Sequence, residues 1–342
     1  MKKINWGIIG LGNIAQSFSK GFLYAKNSRL LAVSSKNKSK LELFKNKYKI
    51  NENYIFQNYE DLLNCNDVDI VYIALPNSLH YDWIKKAVKS NKNILVEKPA
   101  FMNFNHAKII SEEIDNKGLF FTEGYMYRYN PSISKIIEII KSQELGEVQS
   151  MKSFFCKNLL TKKKFFFFEK KKKIDVNNRL FNKNSGGGCI LDLGCYPVSL
   201  SVLIASLIDG VNYKKFKLKN IKKEINFTKV DIDAELKICF DYKFTSEIKT
   251  SFKKSIGSST IINFERGNIL IKNTWTGTTE IIKNLAGKKE IIESSIKKNI
   301  YSQEIENISK DIIDEKIVPT FPGVTIEETK INTKILESWL NA

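Results

Sequence analysis

Short, nearly continuous apolar runs recur along the first third of the chain. They are INWGII near the start, RLLAVS around residue 30, VDIVYIAL at 68–75, NILVE ending at Glu97 and LFFTEGY around Phe121. Apolar runs without alternation are the pattern of strands buried on both faces. Between them lie stretches of helical spacing at 39–49, 59–63, 81–90 and 106–116. Strand and helix in repetition predict a parallel, doubly wound α/β sheet. From about Thr122 the texture changes. Ile232, Ala234, Leu236, Ile238 and Phe240 alternate with polar residues, and SEIKTSF and NILIKNTW continue as strands. Period two predicts half-buried strands of a largely antiparallel sheet. SLSVLIASLI before them is a helix. Thr325 and Glu328 form a capping box for a last helix that runs through Trp339.

The ends of the apolar runs carry chemistry. The first run passes into Gly10-Leu11-Gly12-Asn13-Ile14-Ala15, a G-x-G-x-x-A sequence with a strand before it and helical spacing after it. Gly10 permits the tight turn, and Gly12 leaves room for a pyrophosphate to approach the backbone. Ala15 lets the helix lie close to the strand, with its N-terminus facing the anion. A dinucleotide site is predicted here, including Asn13 and Ile14. An NAD site commonly places Asp or Glu about 20 residues on, at the ribose 2′-hydroxyl. This chain has Ser34, Ser35, Lys36, Asn37 and Lys38 there, and no acid. Hydroxyls and cations suit a 2′-phosphate, so NADP is favoured over NAD, with Ser35, Lys36 and Lys38 as contacts. Ordinary surface lysines are the alternative.

Two other runs end in charged or turn residues. One ends in Leu75-Pro76-Asn77-Ser78-Leu79-His80, the other in Glu97-Lys98-Pro99. Ligands of open α/β sheets sit outside the carboxyl ends of the strands. That places Leu75, Pro76, Asn77, Glu97 and Lys98 on the glycine-loop side, with Lys98 able to act on a ligand. His80 reads as a cap or a cofactor-edge contact rather than a base.

Composition narrows the classes. Net charge is +18, from 55 Lys and Arg against 37 Asp and Glu, which at first suggests a polyanion partner. The cations are mainly lysines spread along a chain that is also rich in Asn, Ile and Phe, as an A/T-biased coding sequence produces. No nucleic-acid-binding signature accompanies them, so no nucleic-acid partner is expected. No stretch approaches the roughly 18 uninterrupted apolar residues of a membrane span, and the first strand begins too early for a signal peptide. Cys65, Cys156, Cys189, Cys195 and Cys239 show neither metal nor disulfide spacing and fit a reducing cytoplasm. His80 and His106 are the two histidines, both in the first half. A histidine-rich metal site and a histidine base from the second half are therefore excluded.

GIIGLGNIA, ALPNSLH, VEKP, EGYMYRYNP and GGGCILDLGCYPV stand in the order and spacing of the Gfo/Idh/MocA oxidoreductases. The chain resembles that family over nearly its whole length, including FERGNILI and PGVTIEET. RLFNKNSGGGCILDLGCYP is most similar to the branch containing dimeric trans-dihydrodiol dehydrogenase and NADP-dependent xylose 1-dehydrogenase. The resemblance implies a Rossmann NAD(P)-binding domain at 1–121. It also implies an α+β substrate-binding and oligomerisation domain at 122–342, with a large, mostly antiparallel open sheet. The implied activity is hydride transfer between NADP(H), or NAD(H), and a sugar or related cyclic polyol or carbonyl compound. In relatives the open sheet faces a partner subunit, which implies a homodimer or homotetramer.

The resemblance also assigns residues. Lys98 matches the catalytic lysine beside the nicotinamide, Tyr196 the acid/base of D-x-G-x-Y, and Asp192 its partner carboxylate. Asp192 and Tyr196 are four apart and share a face on a helix; Asp192 also suits a helix-entry cap. A tyrosine with an ordinary pKa near 10 needs nearby positive charge to act as a base, and Lys98 would supply it. Arg128 matches a cleft-lining position. Tyr125 and Tyr129 wall the nicotinamide or substrate, or belong to the core. Arg179 matches a position near the substrate entrance, or makes a surface ion pair. Two other readings stay open: a cofactor-holding sensor without turnover, and a redox-neutral sugar-processing enzyme with tightly held NAD.

One segment departs from the pattern. TKKKFFFFEKKKKI sets four phenylalanines, 165–168, between lysine runs. It reads as low complexity, as a loop covering the substrate cleft or a partner subunit, or as a peripheral membrane contact.

Overall fold

The computed structural model describes residues 2–164, 168–295 and 299–342. Phe165, Phe166 and Phe167 of the lysine-flanked run lie outside the described residues. The helices in chain order are α1 (Asn13–Ser19), α2 (Lys38–Tyr48), α3 (Tyr59–Leu63), α4 (His80–Lys89), α5 (Phe104–Lys117), α6 (Pro131–Ser142), α7 (Cys195–Ser206), α8 (Ile300–Ile313) and α9 (Ile326–Asn341).

Six strands, β1 (Ile4–Ile9), β2 (Ser28–Ser34), β3 (Ile55–Phe56), β4 (Ile70–Ile73), β5 (Asn93–Glu97) and β6 (Phe121–Gly124), form one sheet. Their order is β3-β2-β1-β4-β5-β6, and every pairing is parallel. Side chains of a strand alternate between the two faces. Ile9, Val71, Ile73, Ile94 and Val96 belong to one apolar cluster, while Ile8, Ile70, Tyr72 and Leu95 belong to another. Helices cover both faces, so the runs read as continuous apolar stretches. The chain order reverses between β1 and β4, which opens a crevice at their carboxyl ends.

The chain forms two compact units. One is Met1–Asn130 with Ile296–Lys330, the other Pro131–Ser295 with Ile331–Ala342. This differs from a single cut after residue 121. β6 is the sixth parallel strand, with Phe121 paired to Ile94, so the residues just past 121 belong to the first sheet. Helix α8 returns to that unit as well: Trp6 Nε1 donates to Ser309 Oγ at 2.9 Å, and Ile305 and Ile308 are buried with Phe18. The capping box at 325–328 forms as expected. Thr325 N donates to Glu328 Oε2 at 3.1 Å, and Glu328 N to Thr325 Oγ1 at 3.2 Å.

The second unit holds β7 (Val148–Cys156), β8 (Thr161–Lys164), β9 (Phe168–Lys171), β10 (Phe216–Ile225), β11 (Asp231–Phe240), β12 (Phe244–Ser251), β13 (Thr260–Phe264), β14 (Gly267–Lys272), β15 (Thr278–Leu285) and β16 (Lys288–Ser295). Strands β8 and β9 pair as a separate ribbon; the other eight form a sheet ordered β10-β11-β12-β7-β13-β14-β15-β16. Only the β12–β7 pair is parallel among the described pairings of that sheet. One face carries the alternating apolar residues of β11 and packs on α7, where Ser201 and Ser246 hydroxyls meet at 2.7 Å. The other face carries ion pairs: Lys152–Glu247 at 3.1 Å, Lys237–Glu247 at 3.3 Å and Lys249–Glu235. These residues line a groove of about 590 Å³. That face is therefore salt-bridged rather than broadly apolar. Residues Lys183–Ser206 are long and apolar enough by mean hydropathy to cross a membrane, yet 94% of the most apolar window is buried inside the protein. α7 is apolar on all sides because it is the core helix of this unit.

Candidate functional site

In a parallel sheet all strands end on one edge. The first unit thereby gathers the glycine loop after β1, Ser35–Lys38 after β2, Leu75–Asn77 after β4, and Lys98 at the end of β5. Gly10 has φ +89°, in the left-handed region. A Cβ at Gly10 would lie 2.7 Å from Ala74 O and 2.8 Å from Leu75 Cδ2. At Gly12 a Cβ would meet nothing within 4 Å. Gly12 caps α1 with no side-chain bond and no acid in the first turn. Open space, a bare helix start and exposed Asn13 make a cradle that fits a pyrophosphate. Gly10→Ala adds both strain and a backbone collision. It is expected to destabilise by roughly 1–3 kcal/mol and to weaken nicotinamide dinucleotide binding, measured by thermal unfolding and calorimetric titration. Ser35 is buried, and its Oγ accepts from Asn37 N at 3.1 Å. Lys36 and Lys38 are exposed. No carboxylate stands in this stretch of the β2 end.

Lys98 is half-buried, and the Glu97 carboxylate before it accepts a hydrogen bond from the Tyr72 hydroxyl. Leu75 and Pro76 are half-buried, and Asn77 is buried. His80 departs from the expected cofactor edge. Its ring is fully buried, with Nδ1 2.9 Å from Pro99 O and Nε2 2.9 Å from Leu75 O. It straps the loop after β4 to the loop after β5 from within the protein.

Glu123 on β6 supports the same loop from another side. It accepts from Ala100 N at 2.9 Å and Thr329 Oγ1 at 3.0 Å. Burial pushes its carboxyl up to about 7, against the opposing pull of those donors. In the unfolded chain it would lose its proton at an ordinary carboxylate pKa. The contribution of Glu123 to stability is therefore fully present at acid pH and is lost as pH rises from about 4.5 to about 7, then levels. The loss corresponds to roughly 3 kcal/mol. Glu123→Gln is expected to remove that part of the slope of Tm against pH.

Two aromatic and cationic assignments change. Arg128 does not line a cleft. It is 1% exposed, and its guanidinium donates to Tyr127 OH at 3.1 Å, Pro322 O at 3.2 Å and Glu328 Oε1 at 3.1 Å. It thereby ties the Met126–Tyr129 turn to the start of α9. Tyr125 is core, fully buried with its ring edge-on to Tyr127 at 5.9 Å. Tyr129 is half-buried, with its hydroxyl enclosed.

In the second unit the D-x-G-x-Y segment is not a plain α-helix. Ile190–Gly194 forms a π-helical turn that leads into α7. Such turns are rare and recur at functional sites. The simple four-apart face argument therefore does not describe it. Asp192 is not the cap of α7 either, because the N-cap is Gly194. Asp192 pairs with Arg179 at 3.2 Å; its side chain is 15% exposed and that of Arg179 52%. Tyr196, the second residue of α7, is largely buried. Its ring stands edge-on to Phe155 at 5.2 Å and lies 5.8 Å from Trp275. The turn is held from behind by Asp231, which accepts from Ile190 N at 2.6 Å. Gly188, at φ +113°, has no room for a Cβ against the Asp231 carboxylate. Sequence reading missed Phe155, Trp275 and Asp231.

Comparison with known proteins agrees with this architecture. The Gfo/Idh/MocA oxidoreductase family, NAD-binding Rossmann fold, matches residues 4–125, and the Gfo/Idh/MocA C-terminal domain matches residues 133–270. Oxidoreductase P35 of Formosa agariphila is 28% identical over 82% of this chain and 83% of its own. A D-xylose 1-dehydrogenase (NADP(+)) of Haloferax volcanii is 28% identical over 60% of this chain and 58% of its own. Trans-1,2-dihydrobenzene-1,2-diol dehydrogenase of Xenopus laevis is 23% identical over 82% and 78%. Among solved structures, aldose-aldose oxidoreductase from Caulobacter crescentus, complexed with glycerol, has a TM-score of 0.85 at 20% identity, covering 100% of this chain and 97% of that one. A 3-ketoreductase from Actinomadura kijaniata, in complex with NADP and TDP-benzene, has a TM-score of 0.82 at 17% identity, covering 98% and 97%. Those two likenesses establish the fold alone. With both family domains matched in order, the chain belongs to the Gfo/Idh/MocA family and is an NAD(P)-dependent oxidoreductase.

Proposed function

We propose that the chain moves a hydride between NADP(H) and a sugar or a related cyclic polyol or carbonyl compound. The observation that carries this reading is one sheet edge holding three things: the cradle at Gly10 and Gly12, the acid-free Ser35–Lys38 end of β2, and Lys98. The absence of an acid at the β2 end favours a 2′-phosphate over a free 2′-hydroxyl. A sugar substrate is supported by relatives named for xylose and dTDP-sugar substrates. The proposed assembly is a homodimer or homotetramer through the eight-stranded sheet, in the cytoplasm.

The nicotinamide, when bound, accepts or gives the hydride. The remaining work belongs to the chain. The Lys98 ammonium binds the reacting oxygen and stabilises the negative charge that grows as the hydroxyl proton leaves. Tyr196 in its phenolate form takes that proton in oxidation, becoming the hydroxyl, and the hydroxyl returns it in reduction. Asp192, anchored by Arg179, orients the tyrosine.

Calorimetric titration with NADP and NAD, followed by a panel of aldoses, polyols and cyclic diols read by nicotinamide absorbance, tests this reading. The expected result is NADP binding tighter by at least about tenfold, or 1.4 kcal/mol, and turnover with a member of the panel. Preferential NAD binding overturns the NADP assignment. Tight cofactor binding without turnover points to a sensor instead.

A further inference from the structure

Glu304 on α8 is a carboxylate in a dry place. It is 2% exposed, and its Oε1 is buried with no hydrogen-bond partner. Helix α8 packs on α1, β1, β2 and the turns Lys20–Leu23 and Met126–Tyr129. From α1, β1 and the first of these turns, Phe18, Trp6 and Phe22 form one apolar cluster with Ile305 and Ile308 of α8. The ionisable groups that feel Glu304 are Glu97 at the end of β5, Tyr72 on β4 and Tyr129 on the second turn. Tyr301 of the same helix acts on Tyr72, and Arg128 and Asp311 act on Tyr129.

Glu97 immediately precedes Lys98, and the Tyr72 hydroxyl gives its proton in a hydrogen bond to Glu97. Among the described residues no donor reaches Glu304 Oε1. A buried carboxyl that feels the charge of a half-buried carboxylate does not ionise readily. We propose that Glu304 is a positioning residue that carries a proton at working pH, so that Glu97 keeps the negative charge of this cluster and its bond to Tyr72. Burial and the charge of Glu97 both hold the Glu304 proton well above the ordinary carboxylate range. When the proton leaves to solvent, the second buried charge repels Glu97 and shifts the adjoining Lys98. That catalytic consequence rests on the hydride-transfer reading; the protonation state does not.

Two readouts on the full chain with Glu304→Gln separate these claims. The first is thermal unfolding of the cofactor-free protein against pH. A carboxyl with a raised folded pKa loses stability as pH rises from the ordinary carboxylate range toward its own. Glutamine is neutral throughout. The Tm difference should move in favour of Glu304→Gln by at least about 2 °C between pH 5 and pH 8. A difference that does not vary with pH overturns the proposal. The second readout is the pH profile of kcat, where Glu304→Gln should lack an alkaline fall seen in the wild type; identical profiles overturn the role in positioning. A wild type without turnover defeats the hydride-transfer reading and leaves the first readout decisive. If Glu304→Gln does not fold, infrared spectra of Glu123→Gln take its place. A protonated-carboxyl band persisting at neutral pH supports the proposal, and its absence overturns it.

Discussion

Replacing Lys98 with methionine is expected to lower turnover by roughly a thousandfold, with NADP(H) affinity changed only severalfold. Methionine keeps an unbranched apolar stem in the half-buried space at the end of β5 and removes the ammonium. The cradle that holds the dinucleotide is built elsewhere, from Gly10 and Gly12 after β1, so binding and chemistry separate cleanly. His80 and Glu123 hold the backbone just after it, at Pro99 and Ala100. The loop should therefore keep its shape in the variant. Steady-state rates and calorimetric titration on one preparation check both halves of the expectation. A wild-type rate in Lys98→Met removes Lys98 from the mechanism.

The second large effect belongs to Tyr196. Tyr196→Phe is expected to reduce kcat by roughly a hundredfold or more, the range of general acid–base catalysis. The ring itself is packing, set against Phe155 and Trp275, and phenylalanine preserves that contact. Loss of the hydroxyl should cost stability no more than about 1 kcal/mol. A purely structural tyrosine would give the reverse, a fall in Tm with kcat intact. The pH–rate profile adds a sharper reading, because Tyr196→Phe should lose the limb that reports proton transfer.

Much of this was legible in the sequence because strand ends punctuate it. β1, β4 and β5 are buried on both faces, so their apolar runs stop abruptly where the working edge begins, at Gly10, Leu75 and Lys98. Period-two alternation in β11 marked the open sheet for the same physical reason. What stayed hidden depends on contacts distant in sequence. The return of α8 to the first unit rests on Ser309 meeting Trp6 and on Ile305 and Ile308 joining its core, and an amphipathic helix does not announce its partner. Arg128 was placed at a cleft by family resemblance alone; Glu328 and Pro322, about 200 positions away, enclose it. The π turn at Ile190–Gly194 hides in a stretch with helical composition. It depends on Asp231, 41 residues on, anchoring the backbone at Ile190.

The most direct measurement follows the hydride itself. The enzyme is incubated with reduced nicotinamide cofactor deuterated at the transferred position and a carbonyl substrate found in the panel. The product is then analysed by mass spectrometry. Hydride transfer predicts one deuterium on the newly formed carbinol carbon per cofactor oxidised, and none with Lys98→Met. Label that stays on the cofactor while substrate is consumed, or a cofactor that binds with no transfer to any substrate, would contradict it.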